Sequence, residues 1–404
     1  MKTFKVVPRW PSVLLIALCI VLSACGGADE AEPDVDSTAQ NNAGEDEADD
    51  SDDQAAEEPS AEPFFAGKTI ELLVPLSAGG GTDTTARFLS NYLTQYLKGS
   101  PTVQVINEPG GGGITGANNW LRNDHSEGVY GLMVGSSTGT AWLVGEPAVE
   151  YDMTELRPII TFPSSRVFFT RADLGIETVS DMAEREEPIT AGGITATGQS
   201  FAAVVGLEFL ELDDDVDHVF GYESGGEFIR AIEQGEVEAM LAAPQAVINY
   251  FETPENLREN VTPIWQLGLP DGQGGYEVDE AFPEAPVLVD AYEELFGEEI
   301  DQDSEAWKSV QTFMDMAGTA TFGLWMDPDA PDEAVQAMRD AMVEAAQDEE
   351  FLRQAEEQLG PYTPVVGDDL DDLEQLLANI EPGSMNWARQ LLMDEYDVAD
   401  LRLD

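Results

Sequence analysis

The sequence predicts an α/β protein built on largely parallel sheets, and two observations carry this prediction. Short apolar runs alternate with amphipathic segments along the chain, which is the pattern of βαβ units. Several of these runs end in glycine- and hydroxyl-rich turns that lead into a helix. The patterned part of the 404-residue chain begins near Phe64, and its length is sufficient for two domains.

The first strand, turn and helix show the pattern most clearly. Residues 70–74 form a buried apolar strand that Pro75 closes, because proline has no N–H for a ladder. Gly79, Gly80 and Gly81 then permit a tight turn, and Thr82 or Asp83 is expected to cap the next helix. A helix N-terminus after such a turn binds anions through its amides and its dipole, without a charged side chain. An ordinary tight βα turn is the alternative interpretation.

The remaining elements follow the same alternation. Their predicted strands are 102–107, 130–135, 166–170, 188–191, 218–222 and 237–241, with an extended apolar run at 318–326. Their predicted helices are 114–122, 201–212, 228–234 and one beginning at Pro331. Residues 136–140 and 192–200 are predicted to be loops rich in glycine and hydroxyl groups, and 270–283 a surface loop.

The N-terminus predicts export. Basic residues precede a short apolar core, which ends in Leu22-Ser23-Ala24-Cys25. Residues 1–24 therefore read as a signal peptide, and the sequence before Cys25 resembles a lipobox, with Cys25 becoming the lipidated first residue. A plain signal peptide is the alternative. Cys19 would be removed with the signal, and His125 and His218 are the two histidines, so we expect neither a disulfide, a metal site nor a cofactor.

The charge of the chain is strongly negative. It has 80 Asp and Glu against 18 Lys and Arg, a formal net charge of −62. Residues 25–63 hold fifteen acids and no base, a composition that predicts a disordered tether. The body that remains without the signal and the tether has a formal net charge of −50. This balance excludes nucleic acid as a partner. We interpret the acids as a surface suited to high salt, because the scarcity of lysine argues against thermophily.

Two motifs suggest other functions. Gly111-x-Gly113-x-x-Gly116 fits the dinucleotide pattern, but the acidic residue expected about twenty positions later is missing. Gly135-x-Ser137-x-Gly139 fits a nucleophile elbow, so a secreted serine hydrolase using Ser137 is an alternative function.

Several blocks together resemble the substrate-binding proteins of tripartite tricarboxylate transporters, the Bug family. The most specific block is residues 74–83 with Ala86-Arg87, and 105–110 with Gly113 and Gly116 resembles the second. Weaker blocks follow in family order at 198–200, 216–222, 235–240, 283–286 and 322–324, so the resemblance covers about 68–377.

The resemblance implies a type-2 periplasmic-binding-protein fold with two α/β domains and a ligand cleft between them. Domain 1 would comprise 64–165 plus 320–404, and domain 2 would comprise 166–319, with crossing strands near 163–171 and 319–326. The cleft would hold a carboxylate on backbone amides and hydroxyls, without arginine. Its implied ligand-binding residues are Ser77, Ala78, Gly79, Gly80, Gly81, Thr82, Asp83, Ser137, Thr138, Thr195, Thr197, Gly198, Gln199, Ser200, Pro244 and Gln245.

The resemblance therefore implies a non-enzymatic, lipid-anchored solute-binding protein on the outer face of the cytoplasmic membrane or in the periplasm. It would deliver a small di- or tricarboxylate-like ligand to integral membrane permease subunits. Ala242 and Ala243 stand where the family often has an acid or amide for a ligand ammonium, which argues against an amino-acid ligand. A sensor lobe that presents its ligand to a receptor is a further alternative. The tail after Ile380 extends past the usual family end, and we expect it to pack on the surface.

Overall fold

The computed structural model describes residues 62–401 and residue 403. The predicted signal peptide, Cys25 and the tether up to residue 61 lie outside the described residues. Within these, no helix has the length and apolar character needed to span a bilayer.

The strands and helices alternate along the body. The strands are β1 (Thr69–Val74), β2 (Thr102–Asn107), β3 (Tyr130–Val134), β4 (Arg157–Phe162), β5 (Val167–Arg171), β6 (Ile189–Gly193), β7 (Val216–Phe220), β8 (Ala239–Ala242), β9 (Val261–Gln266), β10 (Leu269–Pro270), β11 (Tyr276–Glu277) and β12 (Phe322–Met326). The helices are α1 (Gly81–Tyr96), α2 (Ile114–Leu121), α3 (Ser136–Leu143), α4 (Val179–Ala183), α5 (Phe201–Phe209), α6 (Gly225–Glu233), α7 (Pro244–Phe251), α8 (Pro254–Asn260), α9 (Leu288–Phe296), α10 (Glu305–Thr319), α11 (Asp332–Ala345), α12 (Glu349–Leu359), α13 (Leu370–Ala378) and α14 (Asn386–Glu395).

Two five-stranded mixed sheets organise this part of the chain. The first has the order β2-β1-β3-β12-β4, and the second has the order β7-β6-β8-β5-β9. In the first sheet β1 is parallel to β2 and β3, whereas β12 is antiparallel to β3 and β4. In the second, β6 is parallel to β7 and β8, whereas β5 is antiparallel to β8 and β9. The chain therefore crosses to the second sheet between β4 and β5 and returns before β12.

The strands of the first sheet fall within 64–165 and 320–404, and those of the second fall within 166–319. The domain boundaries themselves stay a prediction.

The first strand, turn and helix form for the reasons that the sequence indicates. Helix α1 buries Phe88, Leu89, Tyr92 and Leu93, at the spacing of one helical face. The expected cap is wrong, however. The helix begins at Gly81 with Gly80 as its N-cap, and Asp83 lies inside the first turn, where its Oδ2 accepts the Gly79 N–H at 2.9 Å.

Three further expectations need correction. Residues 136–140 are not a loop, because helix α3 begins directly at Ser136. The extended run begins at Phe322 and not at 318, because α10 continues to Thr319 and packs so closely on β10 that a Cβ at Gly318 would lie 2.4 Å from the Pro270 ring. The predicted surface loop at 270–283 contains part of the short β10–β11 hairpin.

The C-terminal extension is part of the core. Helix α14 packs on α10 and buries Ala388 and Leu392. The buried Arg389 donates from Nη2 to the Leu143 carbonyl and from Nε to the Val144 carbonyl, both at 3.2 Å. The Arg389 guanidinium thus supplies hydrogen bonds to carbonyls at the C-terminus of α3, where the helix dipole favours positive charge.

Candidate functional site: a cavity between the two sheets

A small cavity of about 70 Å³ lies where the first-sheet loops meet those of the second sheet. From the first sheet's side it is lined by Leu76, Ser77, Gly80, Gly81, Thr82, Asp83, Ser136, Ser137 and Phe322. From the second sheet's side it is lined by Arg166, Ile194, Gln199, Ser224, Gly225, Phe228, Ile229, Ala242, Ala243 and Ala246. The position agrees with the rule that ligands of α/β sheets bind beyond the carboxyl ends of the strands.

Four helix N-termini reach this cavity. Gly80 and Gly81 begin α1, Ser136 is the first residue of α3, Ser224 is the N-cap of α6, and Ala243 is the N-cap of α7. None of the four N-cap residues makes a side-chain cap hydrogen bond. The first-turn amides and the positive dipole ends therefore lie near the cavity without a competing side-chain oxygen at the N-cap, an arrangement that favours an anion.

A buried arginine adds a full positive charge. Arg166 is 4% exposed, and its Nη1 donates to the Ser165 carbonyl at 2.9 Å. The guanidinium carbon lies 5.4 Å from the centre of the Phe322 ring. Among the described residues, no carboxylate forms an ion pair with it.

Burial lowers the pKa of Arg166 to about 10, a shift that the nearby Tyr362 partly opposes. The group is therefore still cationic at neutral pH. The expectation that the helix ends alone supply the positive field, without arginine, is wrong. Sequence analysis placed Arg166 only as the start of a strand. The sequence did contain a signal for this site, because Arg166 stands directly before the apolar run Val167-Phe168-Phe169. A charged residue next to a buried strand is rarely buried unless it has a partner or a functional role.

Asp83 holds the first loop in shape. Its carboxylate is 3% exposed and accepts hydrogen bonds from Gly79 N–H at 2.9 Å, Arg87 Nε at 2.9 Å and Asn107 Nδ2 at 3.0 Å. Burial alone would raise the pKa of Asp83, but these hydrogen bonds, led by the one from Arg87, outweigh burial and lower it. Asp83 is therefore an ionised, fully engaged anchor of the loop.

The second loop is fixed by its own side chains. Ser200 Oγ accepts the Ile194 N–H at 3.0 Å and donates to Gln199 Oε1 at 3.1 Å. Gln199 Nε2 in turn donates to the Leu241 carbonyl at 2.5 Å. Ser200 does not line the cavity, because its hydroxyl closes the turn that leads into α5.

The structure brings part of the predicted set together. The cavity is lined by Ser77, Gly80, Gly81, Thr82, Asp83, Ser137 and Gln199. An adjoining cavity of about 270 Å³, which shares Gly80, Gly81 and Phe322 with the first, is lined by Gly79 and Gln245. Neither cavity is lined by the other predicted residues, Ala78, Thr138, Thr195, Thr197, Gly198, Ser200 and Pro244. The binding roles of the whole set stay predictions.

Besides Arg166, sequence analysis missed the hydroxyl at Ser224 and the apolar wall with Phe228, Ile229 and Phe322. Ser224 before Gly225-Gly226 is a local helix-start signal that could have been used. The wall carries no local signal, because buried apolar residues occur in every core.

The hydrolase alternative lacks its catalytic pair in the described part of the chain. Ser137 is 1% exposed, and no hydrogen bond joins its hydroxyl to a histidine. His125 Nε2 lies 3.0 Å from the Trp120 carbonyl oxygen, and His218 stacks on Phe220 with ring centres 5.5 Å apart. A serine without an adjacent base is a weak nucleophile.

The dinucleotide-like glycines have a packing explanation. A Cβ at Gly116 would lie 2.3 Å from the Glu108 carbonyl oxygen and 2.9 Å from the Pro75 Cα. Gly116 therefore allows α2 to approach the ends of β1 and β2, and this need for a glycine does not depend on a nucleotide.

Comparisons with known proteins concern the fold. No family model matches the chain, and no curated protein sequence matches it. Among solved structures, the periplasmic binding protein BugD aligns with a TM-score of 0.60 and 16% identity, over 83% of this chain and 99% of its own. MatC from Rhodopseudomonas palustris with bound malate aligns with a TM-score of 0.60 and 16% identity, over 81% of this chain and 100% of its own. A further R. palustris protein, solved with adipate, aligns with a TM-score of 0.59 and 14% identity, over 81% of this chain and 97% of its own.

At these identities the likeness concerns the fold, and it includes BugD, the kind of protein that the sequence blocks resemble. The two mixed β-sheets, with a cavity lined by residues from both sides, agree with the two-lobed architecture that the resemblance implied. The chain therefore has the type-2 periplasmic-binding-protein fold that the resemblance implied.

Proposed function

We propose that this protein is an exported solute-binding protein of the Bug family that captures a small organic carboxylate between its two sheets. It would deliver this ligand to the membrane permease subunits of a tripartite tricarboxylate-type transporter. Lipidated Cys25 would anchor it to the membrane, with the acidic tether as a spacer.

The observation that carries the proposal is the cavity itself. Four helix N-termini and the buried Arg166 guanidinium converge on one small cavity in a chain whose formal net charge is −62. A protein of this charge repels anions in general, so an anion binds where the local field is reversed. Backbone amides and a guanidinium are suitable donors for a carboxylate, and their charge-assisted hydrogen bonds are stronger than neutral ones.

Two hydrogen bonds between α7 and α12 support capture between two lobes. Gln245 Nε2, on α7 beside the second sheet, donates to the Glu357 carbonyl at 3.3 Å. Asn249 Nδ2 donates to the Gln358 carbonyl at 3.2 Å. Both carbonyls belong to α12, which packs on α1. Ligand release would break these two hydrogen bonds, which cost little to exchange for water.

The solved neighbours give further support. MatC was solved with malate and its R. palustris counterpart with adipate, both of them dicarboxylates. The export signal and the lipobox-like Leu22-Ser23-Ala24-Cys25 support a location outside the cytoplasm. Delivery to a permease rests on the resemblance of the sequence blocks.

Calorimetry in molar salt tests the binding function. The panel comprises mono-, di- and tricarboxylates, and the primary amide of each acid serves as its uncharged control. We expect at least one acid to bind and its amide to bind much more weakly. If the folded protein binds none of the acids, or binds an amide as well as its acid, the carboxylate function is wrong.

Uptake of the bound carboxylate by cells with and without the gene tests delivery. Loss of uptake without the protein would support the transporter role. Unchanged uptake would contradict it and, together with loss of a ligand-induced response, would favour the sensor alternative.

A further inference from the structure

We propose that the cavity selects monocarboxylates with an apolar body of about four to six carbons, whose single carboxylate pairs with Arg166. This inference rests on the proposed function and deepens it, because it replaces the di- or tricarboxylate expectation with a narrower ligand class.

The first argument is the number of cations. Arg166 is the one lysine or arginine among the described residues that line the cavity or the adjoining one. It is buried, forms no ion pair with a described carboxylate, and uses Nη1 for its hydrogen bonds to Ser164 and Ser165. No described hydrogen bond engages its Nη2 or Nε. A buried charge without a counter-ion is unfavourable, so a ligand carboxylate at this position would offset the cost of burying Arg166.

The second argument is that a second carboxylate would meet no cation. Of the described side chains lining the cavity, Asp83 is the other charged group, and its carboxylate is already occupied by the Gly79, Arg87 and Asn107 donors. A dicarboxylate would therefore have to place its second charge on helix N-terminal amides and hydroxyls alone, without a cation beside it. Such neutral donors offset the desolvation of a second carboxylate less than a cation does.

The third argument is the apolar part of the cavity lining. Phe228 and Ile229 are each 1% exposed, and Phe322 and Ala246 continue the wall into the adjoining cavity. These side chains offer no hydrogen bond to a hydroxyl or a carboxylate on the ligand body. A ligand with alkyl carbons here loses no polar hydration, whereas a hydroxy acid does.

The fourth argument is size. A volume of about 70 Å³ corresponds to roughly five to seven water-sized positions, at about 10–15 Å³ for each. A monocarboxylate of four or five carbons has six or seven non-hydrogen atoms. A somewhat longer chain can extend past Phe322 into the adjoining cavity.

The test compares acids of equal chain length by calorimetry on the full folded chain. Pentanoate is compared with glutarate, butanoate with succinate, and malate and citrate complete the panel. We expect pentanoate to bind at least about tenfold more tightly than glutarate. If glutarate, succinate, malate or citrate binds as tightly as the best monocarboxylate, this inference is overturned and the proposed function stands. If no carboxylate binds, both are overturned.

Arg166→Gln and Arg166→Lys test the anchoring residue. Removing the charge should weaken pentanoate binding by about 10- to 100-fold, and Arg166→Lys, which keeps it, should weaken binding less. Thermal melting verifies that both variants fold. Wild-type affinity in folded Arg166→Gln would exclude Arg166 as the anchor.

A gain-of-function variant keeps the inference testable if Arg166→Gln does not fold. Ala246 is half-buried on α7 and lines both cavities. Ala246→Lys would supply the missing second cation and should shift the preference from pentanoate toward glutarate, whereas the uncharged control Ala246→Met should not. An unchanged preference in Ala246→Lys would show that the number of cations does not set the ligand class.

Discussion

Gly80→Asp separates ligand binding from stability more cleanly than other single changes in the first loop. Gly80 is the N-cap of α1, with φ −90° and ψ 174°, a backbone conformation that any residue adopts. A Cβ built there has the Ser77 carbonyl oxygen, 4.0 Å away, as its nearest atom. Aspartate is also a favoured N-cap residue. The variant should therefore fold with an unchanged or slightly higher melting temperature.

Its binding should nevertheless be weakened. Gly80 lines the cavity, so the new carboxylate would face a ligand carboxylate held at the N-terminus of α1, and we take a separation of about 5–6 Å for the calculation. Two like charges at that separation repel by about 3 kcal/mol at an effective dielectric constant of about 20. This corresponds to an affinity loss of about 100-fold. The new side chain would also accept first-turn amides that the ligand needs.

Gly80→Asn is the matched control. Asparagine has nearly the same shape and capping ability as aspartate but carries no charge. The difference between the two variants therefore measures the charge effect alone. The assay is calorimetry with the best carboxylate of the panel, together with thermal melting of each variant. Equal affinities of Gly80→Asp and Gly80→Asn, or wild-type affinity of Gly80→Asp, would refute the placement of the ligand beside the N-terminus of α1.

The other predictions concern salt, anchoring and acid stability. With about −50 on the body, the melting temperature should climb steeply between low and molar salt as the screening length falls from about 10 Å to about 3 Å; a flat profile would contradict the high-salt interpretation of the surface. Cys25→Ser should release the protein into the medium or leave it unprocessed, because one lipid-modified cysteine is the predicted anchor; unchanged membrane fractionation would argue against lipidation. The pKa of Asp83 is lowered in the folded state, so its contribution to stability is present above its ordinary value of 3.8 and is lost as the pH falls through the folded-state pKa. Asp83→Asn should therefore melt lower than wild type at pH 7, and the difference should shrink below about pH 4; a constant difference would show that ionisation of Asp83 does not stabilise the first loop.

Much of the local structure could be predicted from the sequence. An apolar run, a proline and three glycines determine β1 and its turn, because backbone permissiveness and side-chain periodicity act over a few residues. The contribution of Ser77 and residues 79–83 to the two cavities followed from that local signal. The predicted cap at Thr82 or Asp83 failed because Asp83 turns back to Gly79 and out to Arg87.

Contacts between distant segments decided the rest. Arg166 faces the cavity because the chain crosses from β4 to β5 at that point, and it meets Phe322 because β12 returns there. Helix α10 needs a glycine at 318 because Pro270, 48 positions earlier, leaves no room for a side chain there. Ser200 is predicted to contact the ligand, and the tertiary structure adds that its hydroxyl accepts the Ile194 amide. By itself the sequence determined most of the strand–turn–helix units that it predicted, since those preferences are local, whereas residues 136–140 form a helix and not the predicted loop. The tertiary structure alone decided which polar groups remain open to a ligand, because that depends on partners that folding brings from elsewhere in the chain.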